Sequence, residues 1–170
     1  MGAWGAGLYS GDFALDLRSA IGAVTRLPYD GDRLAEILCQ TEPRASNGPD
    51  GEDHTTFWLV VADQFARRGV VCQRVRDQAL TIIDGGRDIA THEKLGMSAA
   101  NLKKRRKMLE EVRARITTAG SRPRSVLKRP QAFLISDISL ANGLGVDAIP
   151  GKPKLQQVPT IPGIERILVS

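Results

Sequence analysis

One segment, DHTTFWLVVADQFARR from Asp53 to Arg68, constrains the fold more than any other part of the chain. Its apolar residues would cover most of the circumference of a helix, and a helix that is apolar nearly all round has to be enclosed by other elements. Its length of sixteen residues and the cap signal before it favour a helix over a strand. The segment therefore predicts the central helix of a small bundle, and Gly69 is its predicted end.

The rest of the first two thirds of the chain also has apolar residues at helical spacing. The further helices predicted from this spacing are Asp12 to Leu27, Asp30 or Asp32 to Gln40, Val71 to Asp84, Asp88 to Leu95, and Ser98 to Thr117. Pro28 and the Gly85-Gly86 pair are predicted helix ends, and Ser98 is a predicted N-cap. Residues 44–52 are predicted to form a loop. The fold class predicted for residues 1–118 is therefore mainly α, a small bundle of five or six helices.

The last third of the chain changes character. Residues 119–130 are predicted to form a basic linker, and residues 131–170 a short irregular or partly β tail. Residues 132–135 and 164–169 are two apolar stretches suited to short strands, but residues 141–163 between them hold four Gly and four Pro without a visible period. The tail is open to two interpretations, an incomplete β subdomain or a sequence end altered by truncation or a reading-frame error.

The net charge of +5 is distributed very unevenly along the chain. Residues 1–93 carry nine Lys or Arg and fourteen Asp or Glu, whereas residues 94–130 carry twelve Lys or Arg and only two Glu. Residues 131–170 are neutral, with three of each. An acidic body is thus followed by a strongly basic segment, which is the most prominent feature for function.

The candidate partner-binding residues lie in this basic segment. They are Lys103, Lys104, Arg106, Lys107, Arg113, Arg122, Arg124, Lys128 and Arg129. Pairs such as Lys107 with Glu111, spaced i,i+4, would neutralise part of the charge locally. Residues 67–131 contain no Phe, Tyr or Trp to stack on bases, and the segment lacks a zinc-finger or RNA-recognition signature. A protein partner or the acidic body of the same chain is therefore favoured over nucleic acid, which remains the alternative.

Two charged residues are predicted to be buried. Arg105 falls within the apolar stripe of the last helix, so it needs an acid from another helix or access to solvent at an edge. Asp63 falls on the central helix, where burial would raise its pKa unless a cation paired with it. Arg105 is one conceivable partner for Asp63. A structural ion pair is favoured over a general base for this carboxylate.

The N-terminal sequence MGAWGAGLYSGDFALD is the most specific motif in the chain, and its structural residues are Trp4, Gly5, Gly7 and Asp12. The glycines would let the backbone turn tightly around the Trp4 ring, which could then plug the bundle. Glycine-rich loops before a helix can also bind phosphate. Here acidic residues occupy the helix start and no Lys or Arg precedes Arg18, so a structural plug is favoured.

This motif resembles the start of an uncharacterised bacterial domain family whose members open Met-Gly-Ala-Trp-Gly-x-Gly and continue with an aromatic residue and a helix. Tyr9 stands where that family usually has Phe, and Gly11-Asp12 replaces an Asn-Asp pair. The resemblance covers about the first twenty residues. It implies a bacterial, cytoplasmic and mostly helical protein, and it supplies no catalytic residue.

The remaining reactive residues do not form a recognisable catalytic or metal-binding set. His54 and His92 are far apart in sequence, and Cys39 and Cys72 are predicted to be separate thiols. No cofactor or metal is expected, and no stretch is long and apolar enough for a membrane span. The predicted function is a non-enzymatic interaction or regulatory module, similar in kind to an immunity protein. An enzyme using Asp63, His54 or Cys72 is a less favoured possibility.

Overall fold

A computed structural model of the chain describes residues 5–126, apart from the side chain of Glu52. The described residues all belong to one compact unit, which ends at Val126. The predicted strands at 132–135 and 164–169, and the whole predicted tail from 131 to 170, lie outside the described residues.

The described residues are mainly helical, and no strand occurs among them. The helices are α1 (Asp12–Val24), α2 (Gly31–Thr41), α3 (Pro43–Asn47), α4 (Glu52–Arg68), α5 (Gln73–Asp84), α6 (Arg87–Lys94) and α7 (Ala99–Thr118). The predicted fold class, a small mainly α bundle, is confirmed.

Helix α4 is the centre of the bundle, as its apolar circumference predicts. It packs against α1, α3, α5, α6 and α7. Phe57, Leu59 and Val60 have no exposed surface at all. Full burial of a side chain of this size stabilises the folded state by about 1.5–3 kcal/mol, so α4 contributes a large share of the hydrophobic stabilisation. Gly69 ends the helix in the left-handed conformation, with φ of +68°, as predicted.

Helix α3 lies where the sequence predicts a loop, and it brings the number of helices within residues 5–126 to seven, more than the five or six predicted. Pro43 stands at its start, where the missing N–H of proline costs no helical hydrogen bond. Ala45 and Ser46 are buried against α4, and the Trp58 indole donates a hydrogen bond of 3.3 Å to the Ser46 carbonyl. The contact with Trp58 explains why a five-residue helix forms in a sequence rich in turn-forming residues.

The helix ends agree with the sequence in most places. Asp30, rather than Asp32, caps α2 by accepting from the Arg33 amide at 2.8 Å, and Ser98 caps α7 as predicted. Helix α1 ends at Val24, before the predicted Leu27. Gly85 follows the last residue of α5, whereas Gly86, with φ of +64°, is the N-cap of α6.

The chain after α7 returns to the helical body. The Arg122 amide donates to the Gly69 carbonyl at 3.2 Å. The Arg124 guanidinium donates to the carbonyls of Thr25 and Tyr29, at 3.1 and 2.6 Å, just beyond the end of α1. Residues 119–126, the first part of the predicted linker, are thus attached to the bundle.

Candidate functional site: two buried carboxylates and a basic helix face

Arg105 of α7 is buried and paired with an acid from another helix, as the sequence predicts. Its Nε and Nη2 donate to the two carboxylate oxygens of Asp88 in α6, at 2.6 and 2.9 Å. Asp88 is fully buried and Arg105 is only 2% exposed. The prediction that Arg105 could pair with Asp63 is wrong, because the packing of α6 against α7 places Asp88 beside Arg105.

The Asp88 and Arg105 pair is completed by two further groups. The Arg105 Nη1 donates to the Gly7 carbonyl at 3.2 Å, and the His92 Nδ1 lies 2.8 Å from the Asp88 carbonyl. The same nitrogen lies 3.7 Å from the Asp88 carboxylate. A buried ion pair is stable only when its remaining donors and acceptors are satisfied. These contacts therefore describe a structural centre that joins α6, α7 and the N-terminal loop.

Asp63 of α4 is the second fully buried carboxylate, and it is paired with arginines. The Arg67 Nε donates to it at 2.7 Å, and Arg115 of α7 donates to its other oxygen. The Tyr9 hydroxyl also donates to Asp63. The predicted structural ion pair is confirmed, with Arg67 and Arg115 in place of Arg105.

Tyr9 is the residue of this centre that the sequence analysis missed. Burial, together with the hydrogen bond to Asp63, raises the pKa of Tyr9 to about 12. The hydroxyl also accepts from the Gln64 side-chain amide at 2.5 Å. The sequence offers one signal for this role. Tyr9 stands in the N-terminal motif where the resembling family usually has phenylalanine, and phenylalanine cannot donate a hydrogen bond to a carboxylate.

Two more arginines surround Tyr9 and Gln64. The Arg18 guanidinium lies over the Tyr9 ring, 5.3 Å from its centroid, and Arg68 donates to the Gln64 side-chain carbonyl. Burial lowers the pKa of Arg68, and the nearby positive charges of Arg18 and Arg67 lower it further. We call the set Arg18, Arg67, Arg68 and Arg115 the arginine cluster.

The structure divides the predicted partner-binding residues into two groups. Arg113 pairs with Asp84 of α5 at 2.9 Å, and this hydrogen bond lowers the pKa of the Asp84 carboxyl. Arg124 and the Arg122 backbone bind the body of the bundle as described above. Lys128 and Arg129 lie outside the described residues.

The second group consists of Lys103, Lys104, Arg106 and Lys107, which are all exposed on α7. We call these four residues the basic face. Within residues 5–126 none of the four forms an ion pair, and the predicted i,i+4 pairs of α7 are not formed there. Arg115, which could pair with Glu111, turns to Asp63 instead. The charge of the basic face is therefore not neutralised by the described part of the chain.

An open groove borders the basic face. Its volume is about 480 Å³, and it lies between the end of α5, α6 and α7. Its apolar lining residues include Ile83, Ile89 and Leu109, and Arg106 lines it together with acidic neighbours. Arg106 belongs to both the groove and the basic face, so the two surfaces meet at this residue, while Glu93 and Glu110 also line the groove.

The N-terminal motif is described from Gly5 onward, so Trp4 and its predicted role as a plug lie outside the described residues. Ser10 donates to the Gly7 carbonyl at 3.0 Å, which closes a tight loop. A cavity of about 90 Å³ lies beneath Gly5, Gly7 and Arg105. Asp12 lies in the first turn of α1, as predicted.

No hydrogen bond or ion pair within residues 5–126 joins His54, Asp63 and Cys72 to one another. His54 and Asp63 lie nine positions apart on α4, about 13 Å along the helix axis. Cys39 and Cys72 carry free thiols. Burial and a hydrogen bond to Asp32 raise the pKa of Cys72 to about 11, so its thiol is protonated at neutral pH. No group of three potential metal ligands occurs among residues 5–126, and no helix there is long and apolar enough to span a membrane.

Comparison with family models, with curated proteins and with solved structures found no match to this chain. The resemblance of the N-terminal motif to a bacterial domain family therefore stays a prediction from the sequence.

Proposed function

We propose that this chain is a non-enzymatic interaction module that binds an acidic protein through the basic face of α7 and the neighbouring groove. The observation that carries the proposal is the exposure of Lys103, Lys104, Arg106 and Lys107 without an ion pair to residues 5–126, while most other arginines of α7 are held by the bundle.

The groove supports a protein partner more than nucleic acid. Charged contacts at an interface supply specificity and rate, whereas buried apolar side chains supply much of the affinity. Ile83, Ile89 and Leu109 give the groove an apolar lining that a leucine or an aromatic residue of a partner would fit. A partner segment would match both surfaces when its apolar residues enter the groove and its acidic residues lie on the basic face, away from Glu93 and Glu110.

Nucleic acid would need a broader cationic surface. Arg105, Arg113 and Arg115 are paired with carboxylates of the bundle. Four exposed and unpaired cations remain on α7 within residues 5–126, and no aromatic residue of that helix accompanies them to stack on bases. Nucleic-acid binding is for this reason the less favoured alternative, and the binding experiment described below distinguishes it from a protein partner.

We further propose that the chain is a regulatory module of immunity type in the bacterial cytoplasm. This assignment is supported by the resemblance of the N-terminal motif and by the uneven charge distribution along the sequence.

The proposal is tested by affinity capture from cells that naturally produce the chain, followed by direct binding to the purified captured protein. The variant is Lys103→Gln/Arg106→Gln. The matched control is Arg26→Gln/Arg44→Gln, which removes the same charge from exposed positions outside α7. We expect a protein that binds the wild type and the control directly but is lost with the α7 variant.

Two results would contradict the proposal. One is equal capture of every protein by the variant and the control. The other is capture that disappears after nuclease treatment, together with retardation of DNA or RNA that weakens steeply with salt, which would establish the nucleic-acid alternative.

A further inference from the structure

The geometry points to a second binding site, away from the basic face, in which the arginine cluster over Tyr9 binds a small anion carrying phosphate groups, such as a diphosphate. Arg18 of α1, Arg67 and Arg68 of α4, and Arg115 of α7 would supply the contacts. The inference is independent of the proposed protein partner, because it rests on different residues.

Four guanidinium groups converge on one small unit of structure. Asp63, Gln64 and the Tyr9 hydroxyl are linked by hydrogen bonds. Arg67 and Arg115 donate to the carboxylate, and Arg68 donates to the Gln64 amide oxygen. Arg18 covers the ring of Tyr9. Helices α1, α4 and α7 thus place four cations around Tyr9 of the N-terminal loop and the two side chains bonded to it.

The cluster carries more positive charge than the fold neutralises. Among residues 5–126, Asp63 is the only carboxylate that forms an ion pair with the cluster, and Arg18 and Arg68 form none. Tyr9 is neutral at physiological pH, as any tyrosine with an ordinary or raised pKa is, so it offsets none of the charge. Four cations against one anion leave a formal excess of three positive charges.

Most of the donors of the cluster also have no hydrogen-bond partner within residues 5–126. Each guanidinium has five N–H groups, and the described hydrogen bonds of these arginines engage few of them. The side chains of Arg67 and Arg115 are 48% and 33% exposed, so solvent-borne ligands can reach them. Arg18 is exposed as well.

A phosphate group is the ligand that this arrangement suits best. Guanidinium groups bind phosphate oxygens in pairs with short, charge-assisted hydrogen bonds. A diphosphate brings several negative charges and many acceptor oxygens, which matches the excess charge and the free donors. It would also reduce the repulsion among Arg18, Arg67 and Arg68, which adds to the effect of burial in lowering the pKa of Arg68.

The buried Asp63 holds the site in place. It fixes one donor of Arg67 and one of Arg115, so that both guanidinium groups are positioned before any ligand arrives. Pre-positioned groups lose less side-chain entropy on binding. Asp63 is therefore a positioning residue, and it lies beneath the arginines, without exposed surface of its own.

The test is calorimetric titration of the full chain with inorganic pyrophosphate at low ionic strength. Arg18→Gln is the informative variant, because the contact of Arg18 with the bundle is the Tyr9 ring face and its loss leaves the hydrogen-bonded core intact. Arg44→Gln is the matched control, since Arg44 is exposed on α3, against the opposite half of α4. Circular dichroism verifies that each variant is folded.

We expect the wild type and Arg44→Gln to bind pyrophosphate alike and Arg18→Gln to bind about tenfold or more weakly, the loss of one charge-assisted hydrogen bond. Arg67→Gln is a second variant with the same expected direction. Absence of binding to the wild type would overturn the inference. So would an equal loss of affinity in Lys103→Gln/Arg106→Gln, because that result would show general attraction to positive charge.

Discussion

At the scale of single residues, the two buried carboxylates show what the sequence can and cannot predict. The need of Arg105 for an acidic partner is predictable from its place in an apolar stripe, since a buried guanidinium without a partner is costly. The identity of that acid is not predictable, because Asp63 and Asp88 are both fully buried and only the packing of the helices selects between them. Tyr9 was missed for the same reason, since its partner lies 54 positions away in sequence.

Asp88→Asn should destabilise the chain severely. The substitution leaves the Arg105 charge buried and without its carboxylate, and breaking one side of a buried pair costs about 3–5 kcal/mol. Urea unfolding monitored by circular dichroism measures the change. Asp84→Asn, which removes the acid of an exposed pair, is the control and should leave the unfolding midpoint nearly unchanged. Similar midpoints for the two variants would contradict the structural role of Asp88.

Tyr9→Phe should lower stability and change its pH dependence. Loss of the hydroxyl removes a hydrogen bond to a buried carboxylate, which costs about 1.5–3 kcal/mol at neutral pH. The pKa of Tyr9 is raised in the folded state from 10.0 to about 12. The unfolded chain therefore releases this proton first, and the stabilising contribution is lost as pH rises from about 10 to about 12.

The measurement is the free energy of unfolding of both proteins as a function of pH. The difference between wild type and Tyr9→Phe should be constant below pH 10 and should shrink above it. A difference that does not change between pH 9 and pH 12 would show that the tyrosine hydroxyl titrates normally.

At the scale of elements, apolar periodicity predicted the long helices well. Helix α4 needed no tertiary information, because a helix apolar all round can only be central. The short α3 was not predictable, since its stability comes from Trp58 and other residues of α4 rather than from its own five residues. The end of α1 was placed too late because Leu27 is buried in a turn after the helix, where its apolar side chain mimics a further helical position.

Gly31→Ala tests how closely the start of α2 packs against the backbone just before α5. A Cβ atom at the first residue of α2 would lie 1.9 Å from the Val71 carbonyl oxygen, far inside contact distance. Backbone atoms cannot move aside as a flexible side chain can, so we expect a loss of about 1–3 kcal/mol, the cost typical of an overpacked site. The control is Gly11→Ala, where a Cβ atom meets nothing within 4 Å. Equal thermal midpoints for the two variants would show that α2 and the start of α5 separate easily.

At the scale of the whole molecule, the described residues divide the positive charge of the chain into two parts. One part holds the bundle together. It includes Arg105 and Arg115 on buried carboxylates, Arg124 on the carbonyls after α1, and Arg76, whose guanidinium donates to the carbonyls of Ile116, Thr117 and Ala119 at the end of α7. A cation at a helix C-terminus also interacts favourably with the helix dipole. The other part is the charge of the basic face, together with the charge of the arginine cluster, which includes Arg115, that Asp63 does not neutralise.

This division was only partly visible in the sequence. Counting charges by region identified the basic segment and offered two explanations, docking on the acidic body or a surface for a partner. The first explanation holds for Arg113 and Arg115, which pair with Asp84 and Asp63 of the bundle. The second stays our proposal for the basic face. The distinction depends on which side of α7 each residue occupies and on the partners across the bundle, such as Asp84 for Arg113, and sequence position alone does not provide these.

The most direct test of this division is the free energy of unfolding in urea of two double variants that each remove two positive charges. Lys103→Gln/Arg106→Gln should unfold like the wild type, because both side chains are exposed and unpaired within residues 5–126. Arg76→Gln/Arg124→Gln should lose about 3 kcal/mol or more, since each removes charge-assisted hydrogen bonds to backbone carbonyls. Equal destabilisation by the two variants, or a larger loss from the first, would contradict the division of charge described for this bundle.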